Sequence, residues 1–317
     1  MFSWLEPGRL PLIVAHRGSS SVAPENTLAS FRQAIRDGAD AVECDVRLTA
    51  DGHVVVFHDA DLHRTTGGPG LISKHTLPEL RTLSAGTWFH NRFAAERIPT
   101  LDEVIELTAG KCLINLEIKT AERESQEKIG EKLVDLCFGV IRRHGARESA
   151  LITSFSHRAV KRAGLIRPRI ATGLLYHPLR HVMKSPVRFA RSLGARYLIM
   201  GGSILRRRIV EEAHERGILV GEYTVNTARR WERSMRFGVD AVFTDSPAIF
   251  RNSKRLFARP PDTCPETVLF RTTSQRFTSS KAKDLPQPSY EHEESHYSLD
   301  LVGLDRFPGL HSTRQVP

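Results

Sequence analysis

The chain has 317 residues, 40% of them apolar, enough for one large domain on the scale of an α/β barrel of about 250 residues. Its four cysteines, Cys44, Cys112, Cys137 and Cys264, are far apart with no Cys-x-x-Cys pair, which argues against a disulfide framework or a structural zinc site and fits a reducing compartment. A net charge of +10 sits largely on arginines such as Arg142, Arg143, Arg206 to Arg208, Arg229 and Arg230; with aromatics at 7%, nucleic-acid binding is not expected, and solvated helix faces account for most of the charge.

In chain order, the opening MFSWLEPGRLPLIVAHRG lacks the basic start and apolar run of a signal peptide. No later stretch reaches the roughly 18 apolar residues of a membrane span, so a cytoplasmic protein without stable membrane insertion is expected. Apolar runs at 10–16, 40–48, 112–119, 150–155, 170–176, 196–200, 218–225 and 240–245 predict eight strands. Between them lie segments with apolar spacings of three and four, such as Leu28, Phe31, Ala34 and Ile35. Several end at glycine, as in RDGAD (36–40), ERGIL (215–219) and RFGVD (236–240). Strict alternation of eight strands with eight helices predicts an α/β fold, a (β/α)8 TIM barrel over 1–257. After the second strand, TADG (49–52) reads as a turn into an extra strand at 53–59, which opens an insertion over about 53–98. From 258 to 317 the chain is rich in proline and serine and poor in apolar residues, the composition of a low-complexity, disordered tail.

Alternation along a strand puts Glu43, Asp45 and Arg47 on one face of AVECDVRL, and Asn115, Glu117 and Lys119 on one face of CLINLEIK. Charges pointing into a barrel cost desolvation free energy, and near the C-terminal ends of its strands that cost is the mark of an active site. Three carboxylates suit a hard divalent cation with oxygen ligands; the competing reading is a salt-bridge network in which Lys119 and Arg47 neutralise them. His16 closes the first strand and His58 the extra one, so two imidazoles reach the same mouth as an acid–base pair. Arg17 offers a planar fork and Lys119 a point charge for phosphate. In SVAPENTLASF (21–31), Asn26 or Thr27 caps the next helix, and Glu25 falls near His16.

Taken together, VAHRGSSSVAPENTLASF, DAVECDVRLTADGHVVVFHD, RTTGGPG, LINLEIK, EYTVN and FGVDAVFTDSP resemble, in order, the glycerophosphodiester phosphodiesterases, most closely their cytosolic bacterial branch. SAGTWFHNRF (84–93) is similar to that family's insertion. The resemblance implies a barrel enzyme that uses Mg²⁺ or Ca²⁺, with Mn²⁺ a further option, and hydrolyses small-molecule glycerophosphodiesters to glycerol 3-phosphate and an alcohol. By motif position it makes Glu43, Asp45 and Glu117 the metal ligands, His16 and His58 the acid–base pair, and Arg17 and Lys119 the phosphate contacts. It adds Tyr223 to the substrate site, where many members carry tryptophan. LIMGG (198–202) departs from the family's more polar sixth strand. The nucleophile stays open between water and the glycerol 2-hydroxyl, and a lysophospholipase D and a silent phosphate-binding barrel are the rival readings.

Overall fold

The β-branched runs become strands β1 (Leu12–Ala15), β2 (Ala41–Leu48), β3 (Val54–Val56), β4 (Leu113–Ile118), β5 (Ala150–Ser154), β6 (Ala171–Tyr176), β7 (Tyr197–Gly201), β8 (Leu219–Tyr223) and β9 (Ala241–Thr244). The computed structural model describes residues 4, 11–120, 124–166, 170–181 and 185–251; the expected tail lies outside them. The sheet order is β1-β9-β8-β7-β6-β5-β4-β2-β3, and pairing of β1 with β2 closes it. Eight parallel strands thus form the TIM barrel. β3 is the exception, lying antiparallel on the end of β2 with Arg47 opposite Val55.

Helices α1 (Leu28–Asp37), α4 (Leu101–Thr108), α5 (Glu124–Arg143), α6 (His157–Leu165), α7 (Pro186–Ser192), α8 (Arg207–Glu215) and α9 (Ala228–Phe237) return the chain between strands, while the short α2 (His63–Thr66) and α3 (Leu77–Thr82) belong to the insertion. A further helical stretch at 247–251 follows β9. Thr27 caps α1 by accepting from the Ser30 amide. Gly38, at φ 79°, ends it in the left-handed conformation that sequence reading assigned to it.

Two apolar layers follow from strand alternation. Outward residues Val42, Cys44, Val46, Ile114, Leu116 and Ile118 pack with Phe31, Val104 and Val134 from the surrounding helices. Inward residues Leu12, Val14, Leu113, Leu151, Tyr197 and Phe243 fill the barrel. Each such large side chain contributes roughly 1.5–3 kcal/mol by leaving water. At the N-terminal end of the strands Trp4 closes the barrel. It is fully buried, donates its indole N–H to the Ser149 carbonyl at 2.9 Å, and meets Tyr197 edge-on at 5.6 Å. The insertion carries its own small core of Phe57, Leu62, Ile72, Leu80, Ala85 and Ile98. With one end filled, the polar residues collect at the other.

Candidate active site

The register of two parallel strands builds the acidic centre. Asp45 on β2 lies opposite Glu117 on β4, and Glu43 opposite Asn115. All three carboxylates are buried, and one oxygen from each lies within 4.8 Å of the others. Glu43 Oε2 accepts the Arg17 backbone N–H at 2.9 Å, whereas its Oε1 is buried with no hydrogen-bond partner. Burial, and then repulsion from Asp45, raises the Glu43 carboxyl to about 8. Burial would raise Asp45 too, but Lys119, His58 and Arg17 outweigh it and hold that carboxyl well below the usual range.

Loop β1–α1 wraps the centre. Arg17 and Asn26 both take left-handed backbone, at φ 57° and 56°, a strained choice for arginine and an accessible one for asparagine, and each is thereby aimed at β2. Asn26 grips Asp45 at two points, donating from Nδ2 to Oδ2 at 2.7 Å and accepting the Asp45 amide at 3.2 Å. Arg17 places Nε 3.4 Å from Asp45 and Nη1 3.0 Å from Glu25. Lys119 sets Nζ 2.9 Å from Asp45 Oδ1 and 2.5 Å from Glu117 Oε1. So part of the salt-bridge alternative is present. Yet among the described residues only Arg17 and Lys119 stand at ion-pair distance from the three buried acids, and the orphaned Glu43 oxygen remains. A buried acceptor without a donor, beside two further carboxylates, is what a hard divalent cation would satisfy; the residues fit one.

Arg47 does not join the cluster as its neutraliser. Strand alternation places it with Glu43 and Asp45, but there the chain turns back into β3, and its guanidinium donates to the His58 carbonyl at 2.6 and 2.9 Å. It fixes the backbone of a histidine instead.

The two imidazoles have matched carboxylates. His16 Nδ1 lies 2.8 Å from Asp245 and His58 Nδ1 lies 2.7 Å from Asp59, leaving each Nε2 for other work. Their surroundings pull in opposite directions. For His16, burial and Arg17 lower the affinity for a proton, but the bond to Asp245 and nearby Glu43 prevail and raise it. For His58, burial prevails over Asp45 and Asp59 and lowers it. Sequence reasoning assigned no role to Asp245, although it stands in the quoted FGVDAVFTDSP. The usable signal was closure: β9 is the neighbour of β1, so the residue after β9 meets the residue after β1. Asn226 and Ser20 were missed as well. They donate to Asp245 at 2.5 and 3.1 Å and hold it in place. Arg64, also missed, bridges Glu25 and Asp59. Tyr223 stands across the barrel at the end of β8, edge-on to Phe155 at 6.4 Å.

The profile of the glycerophosphoryl diester phosphodiesterase family matches residues 16–249. A glycerophosphodiester phosphodiesterase of Caldanaerobacter subterraneus is 38% identical over 245 residues, covering 77% of this chain and 98% of that relative. One from Bacillus subtilis is 31% identical over 264 residues, covering 79% and 88%. Among solved structures, an Oleispira antarctica phosphodiesterase in complex with the product sn-glycerol 3-phosphate superposes with a TM-score of 0.71 at 34% identity, covering 78% of this chain and 97% of that one.

Proposed function

Because this chain belongs to the glycerophosphoryl diester phosphodiesterase family and is an enzyme of that activity, we propose that its mouth hydrolyses glycerophosphodiesters to sn-glycerol 3-phosphate and an alcohol by two-histidine catalysis with a divalent cation. The reading is carried by one observation. Glu43, Asp45 and Glu117 meet within 4.8 Å on a barrel rim that also holds His16 and His58, each on its own carboxylate.

Glu43, Asp45 and Glu117 would hold the cation, Mg²⁺ or Ca²⁺ being the hard ions such oxygens suit. When bound it supplies Lewis-acid stabilisation of charge on the phosphoryl oxygens. The chain's own residues do the rest. Arg17, held by Glu25 and Asp45, presents fixed donors to non-bridging oxygens, and Lys119 adds a buried positive charge beside them. His58, whose proton affinity is lowered, takes the proton from the attacking oxygen; His16, kept protonated by Asp245, gives one to the departing alkoxide. Tyr223, on the opposite rim, bounds the space for the alcohol group. A silent barrel would lack one of these groups, and every one is present.

The test is release of glycerol 3-phosphate from a panel of glycerophosphodiesters, with chelator and then with Mg²⁺, Ca²⁺ or Mn²⁺ restored. Turnover should vanish with chelator and return with metal. Undiminished turnover in chelator would end the cation assignment, and turnover of no panel member would end the substrate assignment.

A further inference from the structure

Seven large apolar side chains are exposed among the described residues, and their placement is uneven. Five of them, Val22, Leu71, Trp88, Leu179 and Ile249, lie in segments that leave the C-terminal ends of strands, the end where the active site opens. Leu179 is 73% exposed in the loop after β6, while Val22 (48%), whose carbonyl accepts from Arg92, and Trp88 (42%), under Arg64, belong to the β1–α1 loop and the insertion on the other side. Exposed apolar groups thus occur in loops on opposite sides of the mouth.

Arginines occupy the sector between these apolar groups. Arg206 to Arg208 begin α8, and Arg229 and Arg230 lie in the first turn of α9, so both groups lie toward the same rim. Along α9 a cleft of about 390 Å³ is lined by Thr227, Arg229, Arg230, Arg233 and Arg236. Arg233 is engaged by Glu222 and the Gly202 carbonyl, yet its Nε is buried without a partner. Arg207 is paired with Glu211 and Arg233 with Glu222, while Glu25 and Asp59 gather on Arg64 and Asp245 on His16, so the acids of the mouth are held by partners of their own and the excess positive charge of this sector rests on Arg206, Arg208, Arg229 and Arg230.

From this arrangement we infer that the catalytic end of the barrel docks reversibly on an anionic phospholipid surface, with Leu179, Trp88 and Val22 entering the headgroup region and the α9 cleft seating a headgroup phosphate. The inference goes beyond the proposed reaction and does not depend on it. Exposed apolar side chains interleaved with arginine are what an interface rich in acidic lipid attracts, by area and by charge together. Trp88 is the one exposed aromatic in the set, and Leu179, Val22, Leu71 and Ile249 are aliphatic, so the apolar contribution favours a lipid interface over base stacking. Docked in this way, the opening meets the layer in which phosphodiesters are borne by lipid.

Flotation of the full chain with vesicles of phosphatidylcholine, with or without phosphatidylglycerol, tests the inference. Wild type should float with the phosphatidylglycerol vesicles and not with phosphatidylcholine alone. Two double variants, Arg229→Gln with Arg230→Gln and Leu179→Ser with Trp88→Ser, should each lower partitioning by roughly tenfold or more, since each basic residue and each buried apolar group adds to the attraction independently. Both should keep wild-type melting and wild-type turnover of soluble glycerophosphocholine. Equal partitioning on both vesicle types, wild-type binding by both variants, or retention on single-stranded RNA with vesicles ignored would each overturn it. Loss of soluble turnover in wild type would strike the reaction and leave this result standing.

Discussion

A carboxylate on Nδ1 does different things to the two histidines, because their burial and neighbours differ. At His16 the proton is held more firmly than on free imidazole, so the protonated form extends to higher pH. Replacing Asp245 with Asn removes that stabilisation. If His16 is the proton donor, the alkaline limb of the pH–rate profile should move to lower pH, since activity falls as the donor loses its proton. A limb that stays put would reassign His16. His16→Ala and His58→Ala should each lower kcat by roughly 10²–10⁴-fold, as expected for proton-transfer groups. Glu43 carries a different consequence. Its carboxyl is raised from 4.5 to about 8, so its stabilising, protonated state is fully present below 4.5 and is lost as pH climbs through about 8. Glu43→Gln should therefore raise the Tm of cation-free protein at pH 8, leave it nearly unchanged at pH 4, and abolish turnover. It should also remove the rise in Tm that added Mg²⁺ gives wild type. A variant that melts lower than wild type at pH 8 would mean repulsion is not the main effect at this site.

Among the elements, loop β1–α1 carries most of the constraint. Gly18 sits at φ 85°, and a Cβ there would meet Ser30 Oγ at 2.4 Å, in a turn that also sets Arg17 in left-handed backbone. Gly18→Ala should cost about 2–4 kcal/mol in denaturant unfolding, from left-handed strain plus the clash, and should depress kcat more than the loss of fold explains. Full activity in a destabilised Gly18→Ala protein would show the loop relaxes without moving Arg17. This loop also marks where sequence reading stops. The acids were legible because period-two alternation is local: Glu43 and Asp45, or Asn115 and Glu117, are two residues apart and must share a face. Asn26 read as a helix cap, since the sequence shows only that it precedes α1; its grip on Asp45 needs the loop folded back over β2. Arg47 keeps the face that alternation gives it, inside the ladder with β3, but its partner, the His58 carbonyl, is brought to it only by the excursion that follows and was not legible.

For the molecule as a whole, the period of strand and helix specified a closed barrel, and the bounds of its eight strands fell within two residues of those the structure has, whereas the extra strand expected over 53–59 ends at Val56, so His58 follows it rather than closing it. Contacts made by closure itself were not legible. His16 and Asp245 are 229 positions apart and become neighbours only because the last strand pairs with the first. The +10 charge was read as solvated helix faces from composition alone, which carries no direction; only the fold turns part of it toward the mouth.

Among the described residues, Trp4 and the filled interior close the barrel below its catalytic mouth, so substrate and product share that mouth. Newcomer and departing molecule must use it in turn. On the proposed roles of Arg17 and Lys119, glycerol 3-phosphate would occupy the phosphate position of the next diester, so initial-rate kinetics should show it raising KM while kcat holds. Inhibition that lowers kcat with KM unchanged would place the product at a site other than the one the diester takes.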